Sequence, residues 1–250
     1  MLNVYATEHV HSATVCAAFA AGCGAPVVPP YPLLPGDVAM YGCLRGLRPT
    51  LIQAQREGRR WLYLDNGYFR PGHYDGYYRV TRDALQHDGS GTATPHRWER
   101  LGLSIAPWRA GGGHVVVCPP SDIFAGLMGF DARRWLANTL DTLLRHTDRD
   151  VRIREKTKKP GRPLAADLAG AWALVTHSSN AAVDALLAGV PVFCTNPCGA
   201  YRLGEPELKK IESPRRPDDR EQWAWNLAAN QWTLSEMADG TCWRMLNGDA

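Results

Sequence analysis

Short apolar runs alternate with Ala-rich segments of helical spacing along this chain, and polar or glycine turns separate them. "LNVYA" (2–6) predicts a strand, "HSATVCAAFAAGCG" a helix closing on Gly22 and Gly24, and "PVVP" a short second strand. "DVAMYG" (37–42) reads as a buried strand, "GLRPTLIQAQREG" as a turn and helix, and "RRWLYLDNGYF" as a strand ending at Asp65 and Asn66. Residues 67–112 break this rhythm. "GYFRPGHYDGYYRVT" and "HDGSGTATPHRWERLG" are rich in Gly, aromatics and His, and they read as loops around a short "YYRVT" strand. The alternation restarts at "GGGHVVVCPPS" (111–121) with strand 114–118, helix 131–146, strand 150–154, a helix after Pro163, strand 172–176, helix 180–188 and strand 191–194. Helical segments around 205–211 and 218–237 complete the chain. There is no repeat of solenoid period and no low-complexity tract.

Strand and helix in strict alternation predict an α/β fold with parallel sheets, here as two Rossmann-like halves facing a cleft. "Ala110-Gly-Gly-Gly" is the linker candidate, which divides the chain into a first domain 1–110 and a second domain 111–250. Composition agrees: 45% hydrophobic and 21% charged residues in 250 positions suffice to bury a core, and a net charge of +3 neither demands nor excludes nucleic acid. Seven cysteines without the dense spacing of a secreted scaffold point to a reducing compartment. Cys194 and Cys198 form CxxxC with no second pair of ligands at zinc spacing, so no metal is predicted. No leader pattern or membrane-length apolar run is present, and the expected location is the cytoplasm, the host's if the chain is viral.

The richest local signal is "ALVTHSSNAAVDALLAGVPVFCTNP" (173–197), a strand running into Thr-His-Ser-Ser-Asn and then a helix. Backbone amides opening a helix are unpaired and carry positive potential, so Ser178, Ser179 and Asn180 sit where a phosphate is held. The same residues also serve a helix as plain caps. His177 either donates to that phosphate or tethers the turn to its neighbour. "VRIREKTKKPGR" adds Arg152, Arg154, Lys156, Lys158, Lys159 and Arg162; Arg154 and Lys156 are the candidates for phosphate, a solvated basic loop being the alternative.

"VTHSSNAAVDALLAGVPVF" resembles the donor-binding turn of GT-B glycosyltransferases and is similar in wording to that of capsule polysaccharide Kdo transferases, over about 30 residues. The matching positions are Ser178, Ser179, Asp184, Gly189 and Pro191, with Asp184 where that family usually has Glu. The chain as a whole also resembles glycosyltransferase-like proteins of tailed bacteriophages. The resemblance implies a GT-B-like fold, a nucleotide-sugar as donor substrate, no further cofactor, and an acidic residue, Asp184, near the ribose or sugar. It also implies a C-terminal helix crossing back to the first domain, for which "DREQWAWNLAANQWTLSEMADG" is the counterpart.

Such a transferase needs a group to take the acceptor proton. Asp65 at the end of "WLYLD" comes first, with Glu8, His9 and His11 after the first strand as the others. "DRD" (148–150) follows a predicted helix and enters a strand, so it reads as a solvated turn, not as a metal motif. The aromatic and basic residues of 67–100, including Tyr68, Arg70, His73, Tyr74 and Arg79, suit phosphate contacts with stacking on bases; they also suit a sugar platform, whose aromatic faces pack on pyranose rings, or a folded loop with aromatic anchors. The leading expectation is therefore a transferase acting on a hydroxymethylated pyrimidine in phage DNA, with DNA as a partner. The alternatives are a surface-glycan transferase of the Kdo type, a nucleotide-sugar epimerase, and a non-catalytic DNA-binding protein.

Overall fold

The computed structural model describes residues 1–42, 46–72, 74–156 and 161–248, so Cys43, His73, Lys158 and Lys159 lie outside the described residues. In chain order the elements are β1 (Leu2–Tyr5), α1 (Val10–Cys23), β2 (Val27–Val28), β3 (Asp37–Tyr41), α2 (Leu47–Arg56), β4 (Trp61–Asn66), β5 (Tyr78–Arg82), α3 (His96–Glu99) and β6 (His114–Cys118). They continue with α4 (Asp122–Leu127), α5 (Ala132–His146), β7 (Asp150–Ile153), α6 (Leu164–Leu168), β8 (Ala171–Thr176), α7 (Ala181–Leu187) and β9 (Val192–Cys194). A single 3₁₀ turn (Leu208–Lys210), α8 (Arg220–Ala229), β10 (Gln231–Trp232), α9 (Leu234–Ala238) and α10 (Thr241–Asn247) follow. The α/β class and the two Rossmann-like halves are as the alternation predicts.

Two compact units form. One joins Met1–His87 to Ala228–Ala250, and the other is Asp88–Leu227. The break therefore does not fall at the glycine run drawn as the linker. Gly112 lies so close to the next strand that a Cβ there would sit 2.3 Å from the Trp172 amide nitrogen, and Gly113 donates to Gly170 O at 2.9 Å. That run is thus built into the second unit. Residues 106–109 dock there as well, Ala106 donating to Leu187 O and Arg109 to Gly189 O.

The sheet of the first unit has the order β10-β5-β4-β3-β1-β2, parallel from β4 to β2, with β5 and β10 added antiparallel at one edge. The helical stretch predicted over 218–237 is interrupted at Gln231–Trp232, because Trp232 pairs with Tyr78 and buries its ring, only 1% exposed. Tertiary burial overrides helical spacing there. The core lies on one sheet face, where Val4, Ala39, Leu62, Leu64 and Val80 meet Val15, Cys16 and Phe19 of α1 and Met237 and Cys242 of the last two helices. Helices α1 and α9 approach so closely that a Cβ on Gly22 would lie 1.9 Å from Met237 O, so only glycine fits.

The sheet of the second unit is wholly parallel, in the order β7-β6-β8-β9. Every residue of β6 is buried, as expected of a central parallel strand covered on both faces. Val115, Val117, Ala173, Val175 and Phe193 form its core with Leu143 of α5 and Ile211. Among the described residues no helix is long and apolar enough to cross a membrane.

Candidate functional site

The parallel part of the first sheet reads β2-β1-β3-β4 and the second β7-β6-β8-β9, which is one strand order used twice. In each, the chain leaves the first strand to one side, then crosses to the other. The crevice beyond the carboxyl ends of such strands, where the order reverses, is where open α/β sheets bind ligands. That point lies between β1 and β3 in one unit and between β6 and β8 in the other.

At the second of these points sits the Thr176–Asn180 turn. Thr176 Oγ1 donates to Cys118 O at 2.7 Å, which pins β8 to β6, and it accepts from Ser179 N at 3.2 Å. Ser179 Oγ accepts from Ala181 N at 3.2 Å. Two amides of the turn are therefore bonded within it, and α7 has only 7 residues. What the turn offers to a ligand is the side chains of Ser178, Ser179 and Asn180 rather than a helix dipole. Ser178 is 8% exposed, and Ser179 and Asn180 are half-buried.

His177 is held by its neighbours. Its Nδ1 lies 3.0 Å from Thr195 Oγ1, which also accepts from Trp135 Nε1 at 3.0 Å. With one lone pair of the hydroxyl taken by the indole, its proton and its second lone pair are both open to Nδ1, so the contact tethers the ring in either tautomer. Phe124, Phe130 and Trp135 surround the imidazole at centroid distances of 6.0, 4.6 and 6.0 Å. Burial lowers its pKa, in keeping with the neutral form. Of the two readings of His177, tethering is the one with named partners. Thr195, Trp135, Phe124 and Phe130 are not recognisable beforehand, since only the fold brings them to this turn.

Asp184, on α7, keeps its side chain open to solvent, yet desolvation by the surrounding protein pushes its carboxyl up to about 6. Solvent access takes back part of that push. Arg154 follows β7 and pairs through Nη1 with Asp167, while also donating to Arg162 O at 2.8 Å. Its charge is already matched by α6. Lys156 is exposed. The CxxxC cysteines are buried, and the Cys194 thiol is held well above its ordinary pKa by its hydrogen bond with Cys198 and by burial. Among the described residues no three His, Cys, Asp or Glu side chains gather as a metal ion requires.

The matching point of the first unit gathers the other candidates. Asp65, the penultimate residue of β4, forms an ion pair with Arg79 at 2.6 Å, while its other oxygen accepts from Asn66 N at 2.8 Å. Arg79 is 6% exposed, donates to Asn66 O at 2.7 Å and lies 5.2 Å from the Tyr68 ring centre. Burial works against its charge, and Asp65 leads the groups that outweigh burial and keep it ionised. Tyr41, at the end of β3, donates to Asn66 Oδ1 at 3.2 Å, and burial, then Asp65 and Tyr78, raise its pKa. His9, His11 and Tyr74 stack in a column with centroids 5.5 and 5.4 Å apart. Glu8 and Arg70 are exposed. Tyr68 is 1% exposed, so it belongs to the core together with Arg79. Tyr41 and Asn66 were missed as site residues because strand ends converge only once the register is known.

No family model and no curated protein matches this chain. Among solved structures the chain is similar to Thermosulfurimonas dismutans KpsC, beta Kdo 2,4 transferase, with a TM-score of 0.56 and 14% identity over 92% of this chain and 91% of that one. It is likewise similar to Thermosulfurimonas dismutans KpsC, beta Kdo 2,7 transferase, with a TM-score of 0.56 and 10% identity over 100% of this chain and 99% of that one. At such identities the likeness is one of fold, and that fold is the GT-B-like α/β arrangement of these glycosyltransferases.

Proposed function

We propose that this protein is a glycosyltransferase that moves a sugar from a nucleotide-sugar donor to a hydroxyl of a surface glycan, in the manner of the Kdo transferases. The observation that carries the reading is the near-complete coverage of both Kdo transferase structures, 91% and 99% of their chains, by a fold with the polar Thr176–Asn180 turn at its second switch point. The donor is assigned to that turn, with Ser178, Ser179 and Asn180 as phosphate contacts, Lys156 as the exposed cation and Asp184 toward the sugar. Acceptor chemistry falls to the β1/β3 edge of the first unit.

A DNA base as acceptor has less support. Of the interleaved aromatic and basic residues that suggested it, Tyr68, Tyr78, Arg79 and Trp98 are core, at 1%, 1%, 6% and 9% exposed, while Arg70, Arg82, His96 and Arg100 remain at the surface. A buried, ion-paired arginine does not hold a phosphate backbone.

The test is a thermal-shift screen against UDP-, GDP-, CMP- and ADP-sugars. A ligand at about 100 times its Kd stabilises the native state by about 2.7 kcal/mol. For a chain of this size that is roughly 5–10 °C. A shift with one nucleotide class supports the reading, and loss of it on Ser178→Ala with Ser179→Ala supports the phosphate assignment. No shift with any donor overturns the transferase reading.

A further inference from the structure

The column of rings at the first switch point has a feature that packing alone does not account for. Tyr74 is 48% exposed and takes a positive φ of 77°, a conformation that a bulky side chain rarely adopts. Arg70, four residues earlier in the same loop, has a φ of 45°. Strain of this kind persists only where the surroundings enforce it. They do so here: Tyr77 N donates to Arg70 O at 3.1 Å, Gly67 N to Tyr77 O at 2.8 Å, and Tyr74 N to the Tyr78 hydroxyl at 3.3 Å. Gly72 and Gly76 are packed backbone against backbone, where a Cβ on Gly76 would meet Gly72 N at 2.1 Å.

This loop holds the Tyr74 ring out from the chain and nearly parallel to His11, with 15° between their planes. His11 rests in turn on His9. Tyr74 and His9 thus both stack on His11, and Tyr74 keeps 48% of its surface exposed. Beside it the Tyr78 ring meets Tyr41 edge-on at 5.9 Å, and Tyr41 donates to the exposed Asn66. An exposed aromatic ring linked through Tyr78 to a hydroxyl and an amide suits a pyranose, whose C–H face is apolar and whose rim carries hydroxyls.

We propose that Tyr74, backed by His11 and His9, is the platform on which the terminal pyranose ring of a glycan acceptor packs, with Tyr41 and Asn66 addressing its hydroxyls. This rests on the glycosyltransferase reading for the name of the ligand, but it is tested without turnover. It also gives His11 a stacking role in place of the catalytic one considered from the sequence.

The experiment is a calorimetric titration of the full chain with a short Kdo-terminated oligosaccharide, and separately with a single-stranded oligonucleotide carrying 5-hydroxymethylcytosine. The variants are Tyr74→Gly, which accepts the positive φ while removing the ring, and Tyr74→Phe, which keeps the face. The expected result is that the oligosaccharide binds, that Tyr74→Gly weakens it by roughly tenfold or more, and that Tyr74→Phe retains it. A thermal midpoint of Tyr74→Gly at or above wild type shows that the variant is folded. Oligosaccharide binding unaltered by Tyr74→Gly overturns the platform, as does absence of oligosaccharide binding, or oligonucleotide binding that depends on Tyr74. Failure of the donor reading is seen separately, as the lack of any nucleotide-sugar shift.

Discussion

Replacing Asp65 by Ala separates two roles for this carboxylate. In the structure it is the ionic partner of Arg79, 2.6 Å away, and its own side chain is 31% exposed. The remaining groups around the guanidinium include the Asn66 carbonyl and Tyr68, Tyr63 and Tyr41, and Nε has no hydrogen-bond partner among the described residues. Removing Asp65 leaves a buried cation with neutral neighbours only. Breaking a fully buried pair costs about 3–5 kcal/mol. Water reaches the partly exposed Asp65 side, so the lower scale of a charged hydrogen bond, about 1.5–3 kcal/mol, is nearer the mark. The expected loss is about 2–3 kcal/mol, or a fall in thermal midpoint of roughly 5–10 °C. Circular dichroism on Asp65→Ala, Arg79→Met and the double variant gives the coupling, expected at about 2 kcal/mol because the two side chains touch. Asp65→Asn should fall between, since the amide still accepts from the Asn66 amide. If Asp65→Ala keeps the wild-type midpoint while abolishing transfer at saturating substrate, the tether argument is wrong and Asp65 is the base.

Gly22→Ala forces α1 and α9 apart, because its Cβ would lie 1.9 Å from a main-chain oxygen; we expect a loss of about 2–3 kcal/mol, read as a lower urea midpoint at unchanged m. His177 has a folded pKa lowered by burial, so the unfolded chain binds the proton first and stability is lost as pH falls below about 6.5. Thermal midpoints from pH 7.5 to 5.5 should fall less steeply in His177→Phe. Asp184 acts in the opposite sense: with its carboxyl raised to about 6, the native state binds the proton first, and stability is lost as pH rises from the ordinary carboxylate range through 6. Asp184→Asn should be more stable than wild type at pH 7.5 and not at pH 4; an equal offset at both would show that the gain is not electrostatic.

The strands were legible because apolar runs such as "HVVVC" are bounded by turn residues, and helix α5 because its apolar positions recur at helical spacing. Less legible was Gln231–Trp232, whose strand character comes only from pairing with Tyr78 and Arg79. The glycine run misled for a related reason: glycine permits a flexible linker and close backbone packing equally well, and only the neighbouring strand decides between them. At the site, the Thr-His-Ser-Ser-Asn turn was visible as a polar interruption, but the enclosure of His177 depends on Thr195, Trp135, Phe130 and Phe124, 18 to 53 positions away. Arg154 looked available in the sequence because its partner Asp167 lies across a loop.

The repeated strand order sharpens the argument about function. Both units place a switch point at the carboxyl edge of a four-strand parallel array, so the fold supplies two ligand-binding edges and does not say which ligand goes where. Side chains make that distinction. The second edge carries Ser178, Ser179 and Asn180 on a short, self-bonded turn, groups suited to phosphate oxygens. The first carries stacked rings, a tyrosine hydroxyl and an amide, with its one buried arginine neutralised by Asp65. A phosphate chain would find no uncompensated charge in that ion pair, whereas a sugar ring bearing hydroxyls finds both a face and a rim. The proposed division between donor and acceptor rests on what each edge can solvate.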